Sequence, residues 1–240
     1  MVHGRWQGEV RQWEKVPGHP VCDVDLDADA LLKERLTALD PEAGWLSEET
    51  ADDAERLIRV RVWVVDPIDG TRDFLRGRPG WAISIALVEG GKALLGVLDA
   101  PARGEHWRAR AGGGATRNGL KLSTGDRKML AGARVPADVL PRVDSDLVAV
   151  YKPNSIALRI AMVAAGEADL VAALRWGNEW DIAAAALIAQ EAGATVTDVL
   201  GRPLRYNSTR GDAFGVLATV PAIHRAAIER LASRAAAVVR

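Results

Sequence analysis

The sequence predicts a mixed α+β protein, and three observations carry that prediction. Residues 58–65 (IRVRVWVV) alternate and are β-branched, the mark of a strand. Residues 27–39, 155–166 and 181–192 instead repeat their apolar positions at helical spacing. Turn chemistry at Glu89-Gly90-Gly91-Lys92 and Asn118-Gly119 closes hairpins between further short apolar runs.

Taken in order, the first helix is 27–39 (DADALLKERLTAL), with Leu31, Leu32, Leu36 and Leu39 on one face and acids in its first turn. The strand 58–65 runs directly into Asp66-Pro67-Ile68-Asp69-Gly70-Thr71. Strands 81–88 and 93–99 follow, and then a glycine-rich hairpin over 112–122. Near residue 130 the pattern changes to alternating strand and helix. We therefore divide the chain into an antiparallel N-terminal half, 1–130, and an α/β C-terminal half, 131–240. The second half reads as strand 147–151, helix 155–166 ending at Gly166, and helix 181–192 closed by Gly193. Strands 194–198 and 214–219 and a final helix from about 222 to 238 complete it.

Composition limits the function. At 240 residues and 48% hydrophobic content, the chain has enough material for a core without staples. Its 31 basic and 32 acidic residues nearly cancel, which excludes a disordered chain and argues against nucleic acid as a partner. Cys22 is the only cysteine, so neither a disulfide framework nor a cysteine zinc site is available. The absence of a long apolar run and of a signal-peptide core predicts a soluble, cytoplasmic protein with no membrane partner. The four histidines make no spaced pair, and each reads as a surface or loop residue.

Chemistry therefore falls to carboxylates, which suit hard cations such as magnesium. The alternating Asp23, Asp25, Asp27 and Asp29, with Glu34 twelfth, imitate a calcium loop. Ala28 occupies the position where such a loop needs glycine, so this reading fails. The string Asp66 to Thr71 is stronger. Two acids three residues apart close a hydrophobic strand, Pro67 biases Asp66 towards extended backbone, and Gly70 permits a tight turn. Both carboxylates could face one cation while the Gly70 and Thr71 amides face an anion, the requirement of a phosphate ester.

Four elements in this order resemble the inositol monophosphatase superfamily of magnesium-dependent, lithium-inhibited phosphatases. They are Lys15 with Pro20-Val21 and Asp25; Ser47-Glu48-Glu49-Thr50; Asp66-Pro67-Ile68-Asp69-Gly70-Thr71; and Trp180-Asp181-Ile182-Ala183-Ala184. Weaker echoes stand at Gly112–Gly119 and Glu191–Ala194. The resemblance implies a layered αβαβα sandwich with the N-terminal helix shortened or missing. It also implies two to three Mg²⁺ ions held by Glu48, Asp66, the Ile68 carbonyl, Asp69 and Asp181. Asp25 and Thr71, with Glu48, fall on the positions that orient and help deprotonate the attacking water. The amides of Gly70 and Thr71 fall on the phosphate-binding turn. Glu49 reads as a solvated surface residue, and Ser47 stands where glycine is usual.

The implied partner is a small phosphorylated metabolite, and the family's habit is a homodimer. Arg72-Asp73-Phe74 is similar to the bisphosphate nucleotidase branch. The stretch Ala168–Arg175 offers no acid at the place where the resemblance expects sugar hydroxyls to be bound. Ser155, Arg159 and Lys152 are the expected substrate residues, Arg159 taking a second phosphate. The resemblance thus favours 3'(2'),5'-bisphosphate nucleotidase activity over inositol-1-phosphate, other sugar phosphate or histidinol phosphate hydrolysis. A non-catalytic binding protein on the same fold is the alternative from another class, and the full acid set argues against it.

Overall fold

In the computed structural model, which describes residues 1–239, the chain is built in five layers. The N-terminus gives a four-residue helix, α1 (Val2–Arg5), and a hairpin of β1 (Gln12–Val16) and β2 (His19–Cys22). Helix α2 (Asp23–Leu39) leads to β3 (Gly44–Ser47), β4 (Arg61–Asp69) and a short helix α3 (Thr71–Leu75). Next come β5 (Ala82–Glu89), β6 (Lys92–Ala100), β7 (Glu105–Arg110), β8 (Gly114–Arg117) and β9 (Leu120–Lys121). The second half runs through β10 (Arg134–Pro136), β11 (Val148–Val150), α4 (Ile156–Ala164) and β12 (Leu170–Asn178). It finishes with α5 (Glu179–Glu191), β13 (Thr195–Thr197), β14 (Asp212–Thr219) and α6 (His224–Val239).

The order β3 to β9 forms one seven-stranded sheet, antiparallel except for the β3–β4 pair, and β12-β14-β13 forms a second. Side-chain alternation explains the layers. Trp63 and Val65 of β4 pack with Leu36 of α2, while Val62 and Val64 face the opposite cluster with α4 and α5. In the small sheet, Val171, Val216 and Ala218 join that same cluster, and Leu170 and Leu217 pack with Ala227 and Leu231 of α6. The result is α2, large sheet, α4 with α5, small sheet, α6: the expected αβαβα sandwich. Small residues let the middle layer sit close. A Cβ on Gly96 of β6 would lie 2.7 Å from the Ala184 carbonyl oxygen of α5.

Several elements differ from the sequence reading. The strand expected at 58–65 begins at Arg61, because Ala54–Ile58 forms a 3-10 turn capped by Asp53. It also continues through the acidic string to Asp69, with a bulge between Asp66 and Asp69 that accommodates Pro67. Helix α2 begins four residues early, at Asp23, through a capping box between Cys22 and Asp25. β12 was not expected at all. Among the histidines, His224 is buried between Thr197 and Thr219, at 3.1 and 2.9 Å, rather than on the surface.

Candidate active site

Glu48, Asp66, Ile68, Asp69, Gly70, Thr71 and Asp181 line one cleft of about 230 Å³ between the large sheet and the start of α5. Each arrives by a local device. The parallel β3–β4 register sets Ser47 against Val65, and the Glu48 amide donates to the Val65 carbonyl. The β4 bulge turns Asp66 back so that its Oδ1 accepts the Ile68 amide at 3.0 Å. Gly70 then takes φ +95°, where a side chain would be strained and its Cβ would meet the Gly80 oxygen at 2.8 Å. The Gly70 and Thr71 amides stand at the start of α3, where a helix offers no internal acceptor, and no bond among the described residues occupies them. The Thr71 hydroxyl donates to the Ile68 carbonyl at 3.0 Å.

Glu48 meets Lys15 at 3.6 Å, but the deeper acids have no such partner. Asp66 and Asp69 are buried, and no lysine, arginine or histidine among the described residues forms an ion pair with Asp66, Asp69 or Asp181. Burial, followed by repulsion from Glu48, Asp69, Asp181 and Asp25, holds the Asp66 carboxyl well above the ordinary carboxylate range. Burial likewise raises Asp181, with Asp69 and Glu48 adding to it. Asp25, buried at the third position of α2 and accepting the Cys22 amide at 2.8 Å, is pushed up to about 6. No three His, Cys, Asp or Glu side chains among the described residues stand close enough to hold an ion as placed. The donor chemistry nevertheless fits a hard cation: several carboxylates and a main-chain carbonyl surround a buried acid that lacks a counter-charge.

Three expected substrate residues lie elsewhere. Ser155 is fully buried and serves the acid instead. Its hydroxyl donates to Asp69 at 2.6 Å and caps α4 by accepting the Leu158 amide at 2.9 Å. The Ala157 amide adds a bond to the same carboxylate at 2.7 Å. Against these donors burial still raises Asp69, to about 6. Ser155→Ala should cost about 1–2 kcal/mol of stability as a lost cap, and should lower turnover far less than Asp69→Asn. Thermal unfolding and phosphate release on both variants check this. Arg159 spends its guanidinium on the Pro153 and Asn154 carbonyls, and Lys152 pairs with Asp138 at 2.5 Å in a neighbouring cleft. The Arg159 charge still lowers Asp69 against its burial, but neither residue lines the cleft.

One further reading needs correcting. The Glu49 side chain is 3% exposed and pairs with Lys15 at 2.5 Å; burial pushes it up to about 7. The Ser47 hydroxyl is bonded to Asp29, which also takes the Thr50 hydroxyl and so ties α2 to the Glu48 loop. Sequence reasoning also missed Arg175 and Trp176 as lining residues. Leu174, at the place where a hydroxyl-binding acid was sought, packs instead against the α6 cluster.

The sequence profile of the inositol monophosphatase family matches residues 2–238. The chain belongs to that family of phosphatases. The fructose-1,6-bisphosphatase/inositol-1-monophosphatase of Thermotoga maritima is 34% identical over 212 residues, covering 84% of this chain and 80% of the relative. The 3'(2'),5'-bisphosphate nucleotidase CysQ of Escherichia coli is 33% identical over 205 residues, covering 80% and 81%. The solved structure of a Thermotoga maritima IMPase superposes with a TM-score of 0.84 at 29% identity, covering 97% of this chain and 91% of that one. No helix among the described residues is long and apolar enough to cross a membrane.

Proposed function

We propose that the cleft hydrolyses the phosphate monoester of a small metabolite by in-line attack of water at phosphorus. The observation that carries this is the juxtaposition of an acid cluster, with buried Asp66 unpaired at its centre, and the free amides of the Gly70–Thr71 turn. Glu48, Asp66, the Ile68 carbonyl, Asp69 and Asp181 would hold two to three magnesium ions. When bound, magnesium supplies charge neutralisation and makes water a better nucleophile near neutral pH. The chain's own residues do the rest. The Gly70 and Thr71 amides bind the phosphoryl oxygens and fix the phosphorus. The Thr71 hydroxyl spends its proton on Ile68, so its lone pairs can accept from the attacking water. Asp25, raised to about 6, lies near the ideal for taking that water's proton at neutral pH. The new bond joins water oxygen to phosphorus, the ester oxygen departs, and a proton from solvent completes the alcohol.

For the ester itself, we favour a 3'(2'),5'-bisphosphate nucleotide. Arg175 lines the cleft and forms no hydrogen bond or ion pair among the described residues, so its guanidinium is available to a second phosphate. It replaces Arg159 and Lys152 in that role. A second reading, inositol 1-phosphate, is favoured by the Thermotoga relative's name. A panel of both esters with Mg²⁺ separates them. Adenosine 3',5'-bisphosphate should give the higher kcat/KM, and Arg175→Ala should lower it about ten- to hundredfold, the range for charged hydrogen bonds. Preference for inositol 1-phosphate, or an unchanged Arg175→Ala, would reverse the choice.

A further inference from the structure

The edge of the cleft is shaped by a bulge. Ala173 of β12 pairs with Val216 and Trp176 pairs with Phe214, so Leu174 and Arg175 together oppose Gly215. Gly215 has φ +65°, and a Cβ there would stand 2.3 Å from the Ala173 carbonyl oxygen, so the bulge requires glycine. A bulge breaks the alternation of faces. Leu174 turns to the α6 cluster, and the next two side chains, Arg175 and Trp176, both reach the cleft.

Trp176 is 50% exposed, whereas Asp66, Ile68 and Asp69 in the same lining are buried. It is not a loose surface residue. The Phe214 ring lies 5.2 Å away at 60°, and the Arg210 guanidinium sits over the indole at 5.3 Å. Asp212 holds Arg210 in turn, at 2.6 Å. An indole fixed by these contacts, half exposed and lining a polar cleft, is a preorganised flat surface. Such a surface selects for a planar π-face and gains little from a saturated ring.

We propose that Trp176 is the platform on which the base of a nucleotide stacks while its phosphate occupies the Gly70–Thr71 turn. This rests on the nucleotide reading above and deepens it. Stacking has little preference among bases, so adenine and guanine nucleotides should both be accepted. Calorimetric titration of the full chain with AMP and with ribose 5-phosphate, which carries a phosphate but no base, tests the platform without turnover. Trp176→Ala should weaken AMP about ten- to hundredfold and leave ribose 5-phosphate within about twofold, whereas Trp176→Phe should keep most of the affinity. Equal weakening of both probes, or unchanged AMP binding, would overturn the platform. So would a wild-type protein that binds AMP no more tightly than ribose 5-phosphate. Failure to release phosphate from any ester would instead overturn the catalytic reading, and the binding ratio would still decide the role of Trp176.

Discussion

Replacing Asp66 with Asn should lower kcat/KM by about three orders of magnitude while raising the thermal stability of the metal-free protein. The two effects come from one cause. Asp66 is buried, without a counter-charge, and within the field of Glu48, Asp69, Asp181 and Asp25. In the absence of a cation its charge opposes folding, and Asn removes that charge while keeping the shape and the acceptor for the Ile68 amide. With Mg²⁺ the same substitution removes a ligand. Metal assistance is worth several kcal/mol at the transition state, and each 1.36 kcal/mol is a factor of ten. Asp69→Asn should lose a similar amount of activity. It should gain less stability, because Ser155 and the Ala157 amide already support the Asp69 charge. Phosphate release and melting curves in chelator and in Mg²⁺ give all four quantities. Wild-type activity in Asp66→Asn, or a lower melting temperature in chelator, would refute the account.

Much of this site was legible before the structure, because the acids sit in strings whose local geometry is dictated by their neighbours. Asp66 to Thr71 is one such string: Pro67, the bulge and left-handed Gly70 leave little freedom. The large sheet was legible for the same reason, since alternation in RVWVV faces two apolar layers. What escaped were features set by which groups the folded backbone brings against a side chain, near or far in sequence. Arg159 lies near the cleft along the chain, but its donors are absorbed by the 153–154 carbonyls. Glu49 reads as a surface acid because nothing local reveals that Lys15, on a hairpin 34 residues earlier, will cover it. β12 was missed because its bulge scrambles the period-two pattern, and the glycine that makes the bulge possible lies on another strand. The Arg175 and Trp176 positions depend on that same register, so no reading of residues 168–178 alone could have placed them.

Removing magnesium should destabilise the protein strongly at pH 8 and little at pH 5. Asp25 and Asp69 are raised to about 6 and Glu49 to about 7, and Asp66 and Asp181 are raised as well. In the unfolded chain such groups titrate near 4. Between about pH 4 and 7 the folded, metal-free protein therefore binds more protons than the unfolded chain, and its stability falls as pH rises. The stabilising contribution of these groups is complete below their unfolded values and lost as pH passes through the folded ones. Asp52 and Asp169 act in the opposite sense. Arg56 holds the first below its ordinary range, and Arg134 and Arg127 hold the second there against its burial, so their contribution is lost in stronger acid. The metal-free optimum should accordingly lie near pH 4–5. Protons and magnesium neutralise the same carboxylates, so each makes the other unnecessary. At a hundred times its dissociation constant, Mg²⁺ should stabilise the protein by about 2.7 kcal/mol, which for a chain of this size raises Tm by about 5–10 °C at pH 8. At pH 5 most of that shift should vanish, because the cation must first displace protons. Melting curves with and without chelator at the two pH values decide the matter, and an equal magnesium shift at both would show that the cation binds somewhere other than among these acids.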